Sequence, residues 1–175
     1  MSRLVRLIGA MLLAAGVTQA ARAAGGWDDL AFLFGTWAAE DSSGSPGKAA
    51  RGETVFEPQL DGQVVVRRNF AEYPPARGRP ASRHDDLMVI YRAGSGAPIR
   101  AKYFDNEGHV IDYGVTAVRD TVVFLGDAVP GTPRFRLTYR KLADERVAGE
   151  FAIAKPETPD GFQPYLAWTM KRSTR

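Results

Sequence analysis

About ten short runs of alternating apolar and polar residues, divided by Gly, Pro and Asp turns, leave few folds open to this chain. The expected strands are 34–39, 51–57, 64–70, 87–92, 99–104, 110–118, 121–125, 135–140, 147–154 and 165–171. Turns at Pro58–Gly62, Gly94-Ser-Gly96, Asp105-Asn-Glu-Gly108 and Arg119-Asp120 join several of them, and the Pro- and Arg-rich stretch Tyr73–Arg83 reads as the longest irregular connection. Parallel pairing needs crossovers of about a dozen or more residues, usually helical, and no such pattern occurs. A consecutive antiparallel meander is left. Ten twisted strands either close on themselves or split into a sandwich, and closure removes the exposed edges. The expectation is all-β: a closed antiparallel up-and-down barrel of about ten strands.

The first 23 residues read as a secretory signal peptide. Arg3 and Arg6 make a basic start, Leu7–Val17 is a short apolar run, and Ala21-Arg22-Ala23 offers small residues where a signal peptidase cleaves. The apolar run is well short of the ~20 residues a membrane-spanning helix needs. Cleavage after Ala23 leaves residues 24–175 as one barrel domain and takes Lys+Arg from 23 to 20, against 20 Asp+Glu. The basic character of the whole chain then belongs to the export signal and is not a nucleic-acid footprint. With no cysteine anywhere, disulfides, thiolate metal sites and lipid-modified cysteine are excluded. A periplasmic or secreted protein, not inserted in a membrane after cleavage, is expected.

Asp28–Phe34 reads as one or two helical turns with Leu30, Leu33 and Phe34 on one face, too short to stand alone and suited to capping something larger. The triplet Gly35-Thr36-Trp37 follows at the entry to the first strand. With the opening Phe32-Leu-Phe-Gly-Thr-Trp37, the turn Leu60-Asp-Gly62 and the ending Trp168-Thr-Met-Lys-Arg172, the chain resembles the calycin superfamily of lipocalins, fatty-acid-binding proteins and nitrobindin-type barrels. It looks closest to bacterial lipocalin-like and fatty-acid-binding-protein-like barrels. The resemblance implies that Trp37 packs across the closed barrel end with Arg172 or Lys171 over its indole. A fatty-acid-binding protein carries a helical lid after strand one, where this chain has the loop Asp41–Gly47. Nitrobindin-type barrels hold haem through one histidine, but their opening continues Gly-x-Trp-x-Gly-x-Gly. This chain instead reads Gly35-Thr-Trp-Ala-Ala-Glu-Asp41, and His84 and His109 sit beside turn residues as partly exposed hairpin histidines. No cofactor and no metal are expected.

No nucleophile elbow, zinc-protease helix or phosphate loop occurs. The candidate ligand contacts are Tyr91, Tyr103, Tyr113 and Tyr139, which fall on mostly apolar strand faces and offer bulk plus one hydroxyl. Arg136, or Arg68, would hold a ligand carboxylate if it faced inward, the alternative being solvent. The expected function is an exported barrel that sequesters or carries a small, mostly apolar ligand. Two rivals stay open: a barrel enzyme using an inward acid such as Glu150, and a filled barrel acting as an envelope interaction module.

Overall fold

The computed structural model describes residues 26–40, 51–76 and 78–173. The expected signal peptide and the loop Asp41–Gly47 lie outside the described residues. Ten antiparallel strands run in chain order: β1 (Gly35–Ala39), β2 (Arg51–Gln59), β3 (Val64–Tyr73), β4 (Ser82–Arg92), β5 (Ile99–Asp105), β6 (Val110–Val118), β7 (Thr121–Gly126), β8 (Arg134–Lys141), β9 (Arg146–Ala154) and β10 (Gln163–Arg172). Each pairs with its neighbour, and β1 with β10 closes the sheet into a barrel, with Trp37 opposite Arg172. A closed ten-stranded antiparallel barrel is consistent with a calycin-like fold.

Several strands run one to five residues beyond the limits the sequence pattern predicts, and the stretch Tyr73–Arg83, expected to be irregular, gives Tyr73 to β3 and Ser82 and Arg83 to β4. Pro58 belongs to β2, opposite Val65, and the turn begins only at Leu60 and Asp61, both in left-handed backbone. β1 pairs with β2 only as far as Phe56, so the missing N–H of Pro58 costs no ladder bond on that side. β4 begins at Ser82, five residues before the expected start. Its first five residues are polar or charged, which hides the alternation, yet they pair in register with Asn69–Tyr73.

One end of the barrel is sealed by apolar side chains. A 3-10 helix, Asp28–Leu33, lays Leu30 and Leu33 into it beside Trp27 and Trp37. Trp27 Nε1 donates to the Gly62 carbonyl at 2.8 Å, tying the helix to the β2–β3 turn, and Trp37 Nε1 donates to Leu33 O at 2.6 Å. Both indoles are thus buried with their one polar atom satisfied. Val65, Ile90, Ile99, Val122, Val147 and Met170 complete the plug.

Above the plug, aromatic rings cross the lumen edge to face. Phe56 meets Tyr139 at 5.4 Å between centroids, Tyr139 meets Phe124 at 6.2 Å, and Phe124 meets Tyr113 at 6.3 Å. Trp168 stands against Tyr139 at 6.1 Å, and a Cβ on Gly149 of the neighbouring strand would overlap its indole. Glycine at 149 is therefore what admits a tryptophan on β10. The lower half of this barrel is solid.

Candidate functional site

Alternation along β3 aims Val65, Arg67, Asn69 and Tyr73 inward, and along β4 it aims His84, Asp86, Met88 and Ile90 inward. Antiparallel register then sets Asn69 opposite Asp86, and Asp86 opposite Asp105. The result is a wall of polar groups on the inner face of β2–β5, at the end away from the 3-10 helix. Arg67 and Asp86 form an ion pair whose side chains are only 5% and 3% exposed. Asn69 Nδ2 donates to Asp86 Oδ2 at 2.8 Å, and the Thr54 hydroxyl donates to Asn69 Oδ1 at 2.6 Å.

The wall continues to the rim. His84 Nε2 lies 3.4 Å from Asp86 Oδ2 and 3.1 Å from the Tyr103 hydroxyl, while Nδ1 lies 3.1 Å from Glu107 Oε1. The Tyr103 hydroxyl donates to Asp105 Oδ2 at 3.2 Å. Asp105 also accepts from the backbone N–H groups of Glu107 and His109 and faces His109 Nδ1 at 2.8 Å. One connected network runs from the solvent-facing hairpin Asp105–Val110 to the buried Arg67.

Charge within the network follows from these partners. Asp86, then Glu107, raise the His84 pKa to about 9 against the opposing effect of burial, so at neutral pH its ring is an imidazolium donating from both nitrogens. Burial is the strongest single influence against the Arg67 charge, but Asp86, Tyr139 and Tyr103 together outweigh it and hold the guanidinium ionised. Burial pushes the Tyr103 hydroxyl well above its ordinary value, and Asp86 and Asp105 add to the effect. Asp105 is held below the usual carboxylate range: its burial opposes this, but the hydrogen bonds from His109 and Glu107 prevail.

Arg67 reaches across the lumen from β3 to β8, its guanidinium carbon 5.9 Å from the centroid of the Tyr139 ring. Arg67 Nε and the Tyr139 hydroxyl are both buried with no other partner, and the guanidinium and the phenol oxygen act on each other as a loose hydrogen-bonding pair. This bar and the aromatic rings around it form a floor at mid-height.

The facing arc, β6–β10, is apolar. Ile111, Phe135, Phe151 and Ile153 project inward near the same rim. Phe135 and Phe151 stack at 5.7 Å and 13°, and Tyr165 stands edge-on to Phe151 at 6.4 Å. Unlike the plug residues, Tyr73, His84, Tyr103, Ile111, Phe135 and Phe151 are only half-buried, so this end of the barrel is less tightly sealed than the plugged one. With one polar and one aromatic wall, it is the candidate cup.

Of the sequence-predicted contacts, Tyr103, Tyr113 and Tyr139 converge on this lumen. Tyr91 does not: it alternates with the buried Met88 and Ile90 and stands outside, beside the ion pairs of Arg100 and Lys102. Arg136 is also outside, because Leu137 and Tyr139 take the inward positions of β8; it faces Glu150 at 3.2 Å and covers Phe162 at 4.8 Å. Arg68 is exposed next to Glu57. Glu150 lines an open furrow of about 680 Å³ on the outer wall, with Thr138, Arg140 and Thr169. His84, expected in a hairpin, lies within β4. Arg67, Asn69, Asp86 and His84 were missed as site residues. The available signal was a doublet on each strand: of Arg67-Arg68 and of Asp85-Asp86, alternation must send one member inside.

No protein-family model matches the chain, and a search of curated proteins returns no relative. Among the described residues, no group of three His, Asp or Glu side chains is arranged to hold a metal ion.

Proposed function

We propose that this is an exported carrier or sequestering protein of calycin type that takes a small, mostly apolar ligand into the half of its barrel away from the plug. The observation that carries the reading is the half-buried inner face near one rim, above a floor of packed rings. Ligand pockets are mainly apolar concavities with a few placed polar groups, and the aromatic wall opposite the Arg67–Asp86 network fits that description. Export rests on the leader-like residues 1–23. Affinity would come from burying ligand surface against Ile111, Phe135 and Phe151, at roughly 25 cal/mol per Å² before entropic losses.

The enzyme alternative loses its named acid, since Glu150 faces the outer furrow. The interaction-module alternative keeps one observation in its favour. Leu87, Phe104 and Val110 are opposite one another on β4, β5 and β6 and are all exposed on the outer face. Native mass spectrometry on protein purified from its own compartment separates the two. A bound small molecule that is lost in Phe135→Glu supports the cup; a ligand-free protein that co-purifies with a partner, and loses it in Phe104→Glu, replaces this reading with the module.

A further inference from the structure

The outer surface of the barrel has two characters. Over β7–β10 the furrow is lined by Thr121, Thr138, Arg140, Glu150 and Thr169, with alanine between them. Over β3–β6 alternation instead sends Val66, Leu87, Val89, Phe104 and Val110 outward. Register sets Val66 opposite Val89, and Leu87 opposite Phe104, which in turn lies opposite Val110. None of the five is buried, and Leu87, Phe104 and Val110 are exposed. A contiguous apolar patch rimmed by polar groups marks a contact surface.

The charges at its two flanks select the occupant. On the β3 flank Arg68 lies 3.7 Å from Glu57, and on the β6 flank Lys102 Nζ lies 2.8 Å from Asp112 Oδ1. Each pair is neutral, so the wall carries no excess charge to draw a strongly acidic or basic partner. The flanks do complement each other. Arg68 and Glu57 are both more than half exposed and loosely paired, which leaves the guanidinium available to a second carboxylate. A two-fold axis running along the strands between β4 and β5 exchanges the flanks. It lays Leu87 on the partner's Phe104 and brings Arg68 toward the partner's Asp112, and symmetry repeats both contacts.

We propose that this wall is the contact between two copies of the chain, a face-to-face dimer centred on Leu87 and Phe104 and flanked by Arg68 against the partner's Asp112. The contact lies outside the lumen, so it stands whether or not the barrel carries a ligand. A second copy seated here also withdraws the observation that favours the interaction module.

Sedimentation equilibrium of the purified protein from about 1 to about 100 µM should show monomer and dimer in exchange. Leu87→Asp, at the apolar centre, should weaken association at least about thirtyfold. Val118→Asp, on an exposed apolar residue at the far end of β6, should leave it within about twofold. Arg68→Glu sets like charges against each other at both flanks, as does Asp112→Arg, and each alone should dimerise at least about tenfold more weakly. Mixed in equal amounts, these two variants regain both attractions and should associate within about threefold of the native protein. Urea midpoints verify that each variant is folded.

A protein that stays monomeric throughout overturns the proposal and leaves the wall to a different partner. Equal effects of Leu87→Asp and Val118→Asp move the contact off this wall and overturn it too. A mixture that associates no more tightly than its components overturns the facing of Arg68 and Asp112.

Discussion

The guanidinium of Arg172 lies 4.4 Å from the centroid of the Trp37 ring while its Nη1 donates to the Phe34 carbonyl at 2.8 Å. The space it occupies exists because residue 35 has no side chain: a Cβ there would stand 2.6 Å from Nη1, and the backbone φ of +110° is one that L side chains rarely adopt. The Gly-Thr-Trp triplet is therefore one half of a device whose other half is the last residue of β10. It joins the first strand to the last at the point where the barrel closes.

Arg172→Ala should lower stability by about 1–2 kcal/mol, the combined worth of the stacked cation and its hydrogen bond. Lysine recovers only part, since an ammonium cannot lie flat on the indole. Gly35→Ala should cost about 2–4 kcal/mol through strain and crowding together. In the Arg172→Ala background that cost should fall, because the crowded atom is gone. Urea midpoints of the four proteins give the coupling, and strictly additive values would show that the two positions are independent.

The Arg67–Asp86 pair makes a sharper demand. Arg67→Met takes the guanidinium from a carboxylate that is 3% exposed, leaving it only His84 and Asn69, and should cost about 3 kcal/mol. Replacing both partners, Arg67→Met with Asp86→Leu, should cost less than Arg67→Met alone, because the buried carboxylate goes with its guanidinium and the more exposed His84 keeps Glu107. A double variant less stable than either single one would mean that the surrounding Asn69 and Thr54 depend on the pair for their own hydrogen bonds.

His84 gives the protein a pH dependence of defined sign. Its pKa rises from 6.5 to about 9 on folding, so its contribution is complete below pH 6.5 and is lost as pH climbs through about 9. The buried hydroxyls of Tyr103 and Tyr113 act in the same direction but later. Burial raises both above 10.0, so the penalty begins only where the unfolded tyrosines ionise. Chemical denaturation across pH 6–11 should show two descending segments, and His84→Gln should flatten the first and spare the second. An unchanged slope between pH 6.5 and 9 in that variant would assign it to another group.

Strand succession and the Trp37 closure were legible because each β-run carries period-two alternation, with buried members such as Val122 and Phe124 or Leu137 and Tyr139 marking the inner face. The site was less legible for the same physical reason. β4 reads Leu87, Val89, Tyr91 on one face and Met88, Ile90 on the other, both apolar, so periodicity alone cannot say which tyrosine points inward. Its leading segment Ser82–Asp86 carries no alternation, because its inward residues His84 and Asp86 are held by hydrogen bonds and charge in place of apolar burial. Arg136 and Tyr139 are three apart on β8, and a strand sends such residues to opposite faces; Tyr139 is the inward one.

Trp27 is bolted to Gly62, and Ser173 N donates to the carbonyl of Thr36, so the described chain enters and leaves the barrel beside the plug. Any leash attached before Gly26 or after Ser173 would hold the molecule by its base, with the doorway pointing outward. On the proposed carrier function, an immobilised or terminally fused form should exchange ligand as freely as the untethered protein.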